Sequence, residues 1–77
     1  MEEKIKELMA DVFEIDAKAI NESSNMDRID AWGSLTHLNL CFAVEQEFAI
    51  RLEVADMELM TSFKKIVETI SSKRKTL

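Results

Sequence analysis

The stretch "IDAWGSLTHLNLCFAVEQEF", residues 29–48, sets the only glycine of the chain, Gly33, and then Ser34 directly before a long apolar helix pattern. Ser34 falls at or beside the N-cap, where a hydroxyl can accept from a backbone N–H that has no intrahelical partner. Gly33 is expected to allow a tight turn into the helix. At about 100° per residue, Leu40, Cys41, Val44 and Phe48 gather on one arc of the helix. Leu35, Leu38 and Phe42 form a second apolar arc, and Ser34 lies between the two. A helix in a small bundle can bury both arcs against neighbours on two sides. Alternatively the second arc stays partly exposed and receives a partner beside Ser34, because exposed apolar patches mark binding surfaces. The spacing alone leaves both arrangements open.

Upstream, "EEKIKELMADVFEI" places Ile5, Leu8, Met9, Val12 and Phe13 on a single helical stripe. Glu2 and Glu3 stand in its first turn, where carboxylates suit the positive end of the helix dipole. Residues 16–33, "DAKAINESSNMDRIDAWG", read as a long loop with apolar anchors at Ile20, Met26, Ile29 and Trp32. A loop of that length in a compact domain is often functional, and the anchors predict that it is pinned across the bundle. Downstream, "SLTHLNLCFAVEQEFAI" predicts the second helix and "VADMELM" a helix of one or two turns. In "TSFKKIVETISSK" Phe63, Ile66, Val67 and Ile70 form another stripe, with Thr61 or Ser62 as its cap. The expected fold is all-α: a small four-helix bundle of three longer helices and one short one, in a single domain over residues 1–77.

Composition agrees. Proline is absent and glycine occurs once in 77 residues, so the chain lacks the turn residues that a multi-stranded sheet requires. The single cysteine rules out an internal disulfide framework. No apolar run approaches the roughly 20 residues of a membrane span, and the charged start does not resemble a signal peptide; a cytoplasmic location is expected. The net charge of −5 argues against nucleic acid as a partner. The one basic cluster, Lys73–Lys75, is expected to be a frayed, solvated tail.

The arrangement at residues 32–35, "WGSL", together with "VEQEFAIRL" and a last helix beginning "TSFKKIVETI", resembles the acyl carrier proteins, and the resemblance covers nearly the whole chain. It implies that Ser34 is esterified by a 4′-phosphopantetheine arm taken from coenzyme A, with Gly33, Leu35 and His37 beside the attachment point. The arm's thiol would carry acyl groups as thioesters, so the protein would be a shuttle and not an enzyme. Implied partners are a phosphopantetheinyl transferase and acyl-transferring and acyl-modifying enzymes, in fatty-acid or specialised lipid or polyketide-type synthesis, with the acyl chain as cargo and the carrier a monomer. The family binds its acyl chain between the helices, which would give Leu40, Val44 and Phe48 a second use. Leu35, Leu38, Asn39, Phe42 and Glu45 are the candidates for partner docking.

The chain departs from the family pattern in two ways. Gly33 stands where Asp usually precedes the serine, and Thr36, Asn39 and Gln46 stand at positions that are often acidic. Such losses alter association rate and partner choice more than fold, which implies a carrier dedicated to one pathway. Charge restored at Gly33 and Asn39 is then expected to speed loading by a generic transferase. A peptidyl or aminoacyl carrier would usually show Gly-Gly-x-Ser, and only "WGSL" is present. The alternative from another class is an unmodified helical interaction module in which Ser34 is only a cap.

Other residues point to no separate chemistry. His37 lies three residues after Ser34, but no Gly-x-Ser-x-Gly elbow surrounds the serine. His37 is expected at the edge of the site, placing the phosphate or a partner. Cys41 falls on the core arc as a small buried hydrophobe. With one Cys and one His, and with Asp27 and Asp30 lacking EF-hand spacing, no metal-ligand set is expected. Trp32 reads as a loop anchor ahead of a docking residue.

Overall fold

The computed structural model describes residues 1–75, which fold into α1 (Glu2–Phe13), α2 (Ser34–Phe48), α3 (Val54–Leu59) and α4 (Phe63–Lys75). This is the all-α bundle of three longer helices and one short helix that the patterns predict. The core takes Ile5, Met9 and Phe13 from α1, Leu40, Cys41 and Val44 from α2, and Phe63, Ile66 and Ile70 from α4. Each large side chain so buried contributes about 1.5–3 kcal/mol. The α1 and α4 stripes are therefore the predicted ones, with Leu8, Val12 and Val67 half-buried at their edges.

Helix ends differ slightly from the sequence pattern. α1 stops at Phe13 because Glu14 turns left-handed (φ 56°), and α2 stops at Phe48 because Ala49 does the same (φ 53°). After α2 the Glu45 side chain accepts from Leu52 N–H (2.8 Å), holding the turn that buries Leu52. Ser62 caps α4, its hydroxyl accepting from Lys65 N–H at 3.2 Å.

The long loop is pinned as expected: Ile20 and Trp32 are buried, and Met26 and Ile29 pack against the core. Two features were not foreseen. A 3-10 turn at Ala17–Ala19 is capped by Asp16, which accepts from Lys18 N–H. The loop is also stitched to the α3–α4 junction, where Met26 N–H meets Thr61 C=O and Phe63 N–H meets Ser24 C=O, both at 3.0 Å. These bonds flank an isolated bridge between Asn25 and Ser62.

The frayed tail expected at Lys73–Lys75 is corrected. Lys73 and Arg74 lie in the last turn of α4, where cations suit the helix dipole. Lys73 Nζ bonds Asp56 of α3 at 2.8 Å, and the Arg74 guanidinium lies 5.8 Å from the Phe48 ring centroid. No described helix is long and apolar enough to cross a membrane.

Candidate functional site

α2 begins with Gly33 at the N-cap, so Ser34 is the first helical residue and not the cap. The Ser34 side chain is exposed and makes no hydrogen bond among the described residues. The helix start is held by Thr36 instead: its hydroxyl accepts from Gly33 N–H (2.8 Å) and donates to Ala31 C=O (2.6 Å). The first-turn N–H groups of any helix lack intrahelical partners, and here no acidic side chain stands in that turn. An anion at Ser34 would meet backbone donors and the positive dipole end without a competing carboxylate.

Gly33 is not required by the backbone. Its φ of −112° and ψ of −168° are extended values open to any residue, and a Cβ there would meet nothing within 4 Å. The entry into the helix that Gly33 was expected to allow does not depend on glycine.

His37 is turned inward. The Trp32 indole donates to His37 Nδ1 at 2.9 Å, and His37 Nε2 lies 2.7 Å from Met57 C=O in α3. An indole N–H can only donate, so Nδ1 accepts and Nε2 carries the hydrogen given to Met57. Neither nitrogen is left for a phosphate, and the expected role of His37 in placing one gives way to joining the loop, α2 and α3. Trp32 is the loop anchor, buried with its ring centroid 4.9 Å from that of Phe13.

The two arcs of α2 separate cleanly. Leu40, Cys41 and Val44 are wholly buried, whereas Leu35 is 72 % exposed, Phe42 49 % and Leu38 43 %. The second arc is therefore an apolar stripe open to solvent beside Ser34. Asn39 is exposed as well, while Glu45 is half-buried and commits an oxygen to Leu52 N–H. Val54, at the start of α3, is also strongly exposed and was not among the expected docking residues. An apolar residue at the first position of a six-residue helix is the local signal that could have marked it. Burial, with the Glu45 charge adding to it, pushes the Cys41 thiol up to about 11.

No family model matches the chain. It is 32 % identical over 76 residues to the acyl carrier protein of Buchnera aphidicola subsp. Schizaphis graminum, covering 97 % of this chain and 95 % of that one. It is 31 % identical over 72 residues to polyketide-8 synthase acyl carrier protein 2 of Streptomyces avermitilis, covering 92 % and 82 %. The fold matches the solution structure of a holo acyl carrier protein from Geobacter metallireducens with a TM-score of 0.85 at 20 % identity, over 97 % of this chain and 86 % of that one. With the helix order and the exposed serine at the start of α2, these similarities place the chain among the acyl carrier proteins. Members of that family are carriers, not enzymes.

Proposed function

We propose that Ser34 is the attachment point of a 4′-phosphopantetheine arm and that residues 1–77 act as one monomeric carrier domain in the cytoplasm. The observation that carries this reading is the exposed, unbonded Ser34 hydroxyl on the first turn of α2. The residues present fit the group: backbone N–H donors and the dipole end favour its phosphate, and no side chain at position 33 crowds the hydroxyl. Bound there, the arm supplies a thiol on which acyl groups ride as thioesters. The chain's own part is to hold Ser34 in place through Gly33 and Thr36 and to present Leu35, Leu38, Asn39 and Phe42 to the enzymes that load and use the arm. Glu45 contributes to docking only through the oxygen not engaged with Leu52. Synthesis of fatty acids, or of a more specialised lipid or polyketide, is the pathway class that the two sequence relatives support.

The test is an intact mass after incubation with coenzyme A and a broad-specificity phosphopantetheinyl transferase. A gain of one phosphopantetheine, absent in Ser34→Ala, is expected. Because Ser34 makes no capping bond, Ser34→Ala should change stability by no more than about 0.5 kcal/mol. No gain with several different transferases sinks the reading. Urea denaturation alongside separates loss of the hydroxyl from loss of the fold.

A further inference from the structure

His37 is the single histidine of the chain and Trp32 the single tryptophan, and the two are bonded to each other. The indole N–H donates to Nδ1 over 2.9 Å, and Nε2 donates to Met57 C=O over 2.7 Å. Both bonds hold only while the imidazole is neutral, because Nδ1 has to accept. A proton on Nδ1 makes it a donor facing an indole N–H that can only donate. Among the described residues no carboxylate pairs with either ring nitrogen to offset that opposition. The two sides of the bond are not equally free to give way. Trp32 is buried against the Phe13 ring, whereas His37 is half-buried on α2. The imidazolium is therefore the group that turns out to water, and Met57 C=O loses its partner. α3 has six residues and none is fully buried, so no deeply packed side chain keeps it against α2. Its other tie survives mild acid, since the Lys73 ammonium holds the Asp56 carboxyl low.

We propose that His37 is a proton-operated latch between α2 and α3: protonation breaks its bond with Trp32, frees Met57 C=O and lets α3 move off α2 while Lys73 still tethers it to α4. The latch goes beyond the reading of Ser34 and needs no arm there. Its sign follows from proton counting. The open arrangement binds one proton more than the closed one, so the open share grows as pH falls. A free imidazole takes its proton near about 6.5, and one unit lower the open share is about tenfold larger. The charged groups on the neighbouring elements keep their charge in this window. On α2 the Cys41 thiol, pushed up to about 11, stays neutral. On α4 the Lys73 ammonium, raised by Asp56, stays charged. Asp30 of the loop, Asp11 and Glu14 around Phe13 on α1, and Asp56 and Glu58 around Met57 on α3 are carboxylates, a class that titrates near about 4.

The test follows the isotope-labelled chain, without its arm, by NMR between pH of about 7.5 and 5.5. At the upper end the ring nitrogens should show hydrogen on Nε2 alone. Toward the lower end the Trp32 indole N–H and the amides of residues 57–59 should lose about tenfold in protection from exchange, corrected for the intrinsic rate. The amides of residues 67–70 in α4 should keep theirs. His37→Gln, which has no proton to gain, should remove the response. Trp32→Phe keeps a ring against Phe13 but deletes the opposing N–H. In that variant the imidazolium can retain Met57 C=O, and α3 should stay protected in acid. Trp32→Phe also decides the matter if His37→Gln fails to fold. Hydrogen on Nδ1 at the upper pH, an α3 protection that acid leaves unchanged, an equal loss in residues 67–70, or a response that persists in either variant overturns the latch.

Discussion

Cys41 is the only thiol of the chain, and α2 turns it into the core with nothing exposed. With its thiol pushed up to about 11 by burial and by Glu45, it is almost entirely protonated at neutral pH, and the thiolate is the reactive form. For the thiol arm proposed at Ser34, this means that acyl groups meet no competing thiolate on the protein itself. Titration with a thiol-reactive disulfide should find no reactive thiol on the folded chain lacking the arm and one after denaturation. On the folded chain carrying the arm it should find one. Rapid reaction of Cys41 in the folded, unmodified chain would contradict this. At this scale the sequence showed Cys41 as core and Trp32 as anchor, since both follow from periodicity or size. It did not show that Thr36, rather than Ser34, holds the helix start, because a hydroxyl at either place satisfies the same pattern.

α3 is held lightly by packing: none of its residues is fully buried, and Met57 is half-buried against the core. Side-chain ties secure it, from His37 to Met57 C=O and from Lys73 to Asp56. The short helix was legible in "VADMELM", but its fastenings were not, because His37 and Lys73 reach it from other helices and no local spacing marks such pairs. His37→Ala strands the Trp32 indole and the Met57 carbonyl together and should cost about 1–3 kcal/mol. Amide exchange should quicken in α3 more than in α4; an even rise across both would deny the tie. The second tie has a pH signature. The Lys73 ammonium, followed by the Glu53 N–H, lowers the Asp56 carboxyl, and Asp56 in turn raises Lys73. Stability from Asp56 is therefore present above its unfolded value and lost as pH falls through the lowered folded one. Stability from Lys73 is present below its unfolded value and lost as pH rises through the raised one. Melting temperatures of the native chain and Asp56→Asn should differ at neutral pH and converge in strong acid. A gap that persists undiminished in acid would assign the effect to packing.

Across the whole molecule, α2 turns one arc into the core and leaves the other, the proposed docking face, open to water. The existence of both arcs was readable from the wheel, but which one faces water was not: that depends on where α1, α3 and α4 settle around the helix. The non-local stitch between Ser24–Met26 and Thr61–Phe63 was invisible for the same reason. A domain this small has only a modest total stability to lose, so the two arcs should respond very differently to the same chemical change. Leu40, wholly buried, should lose about 2–5 kcal/mol on replacement by Ala, a large share of what a domain of this size has. Leu35, 72 % exposed, should lose no more than about 0.5 kcal/mol for the identical truncation. Urea denaturation measures both, and an unchanged dependence on urea concentration keeps the comparison two-state. The converse should hold for transferase binding, with Leu35→Ala weakening it and Leu40→Ala changing it only by the fraction of chain unfolded. Equal destabilisation at the two positions would mean that the second arc is packed in solution, and the docking face would then have to be sought elsewhere.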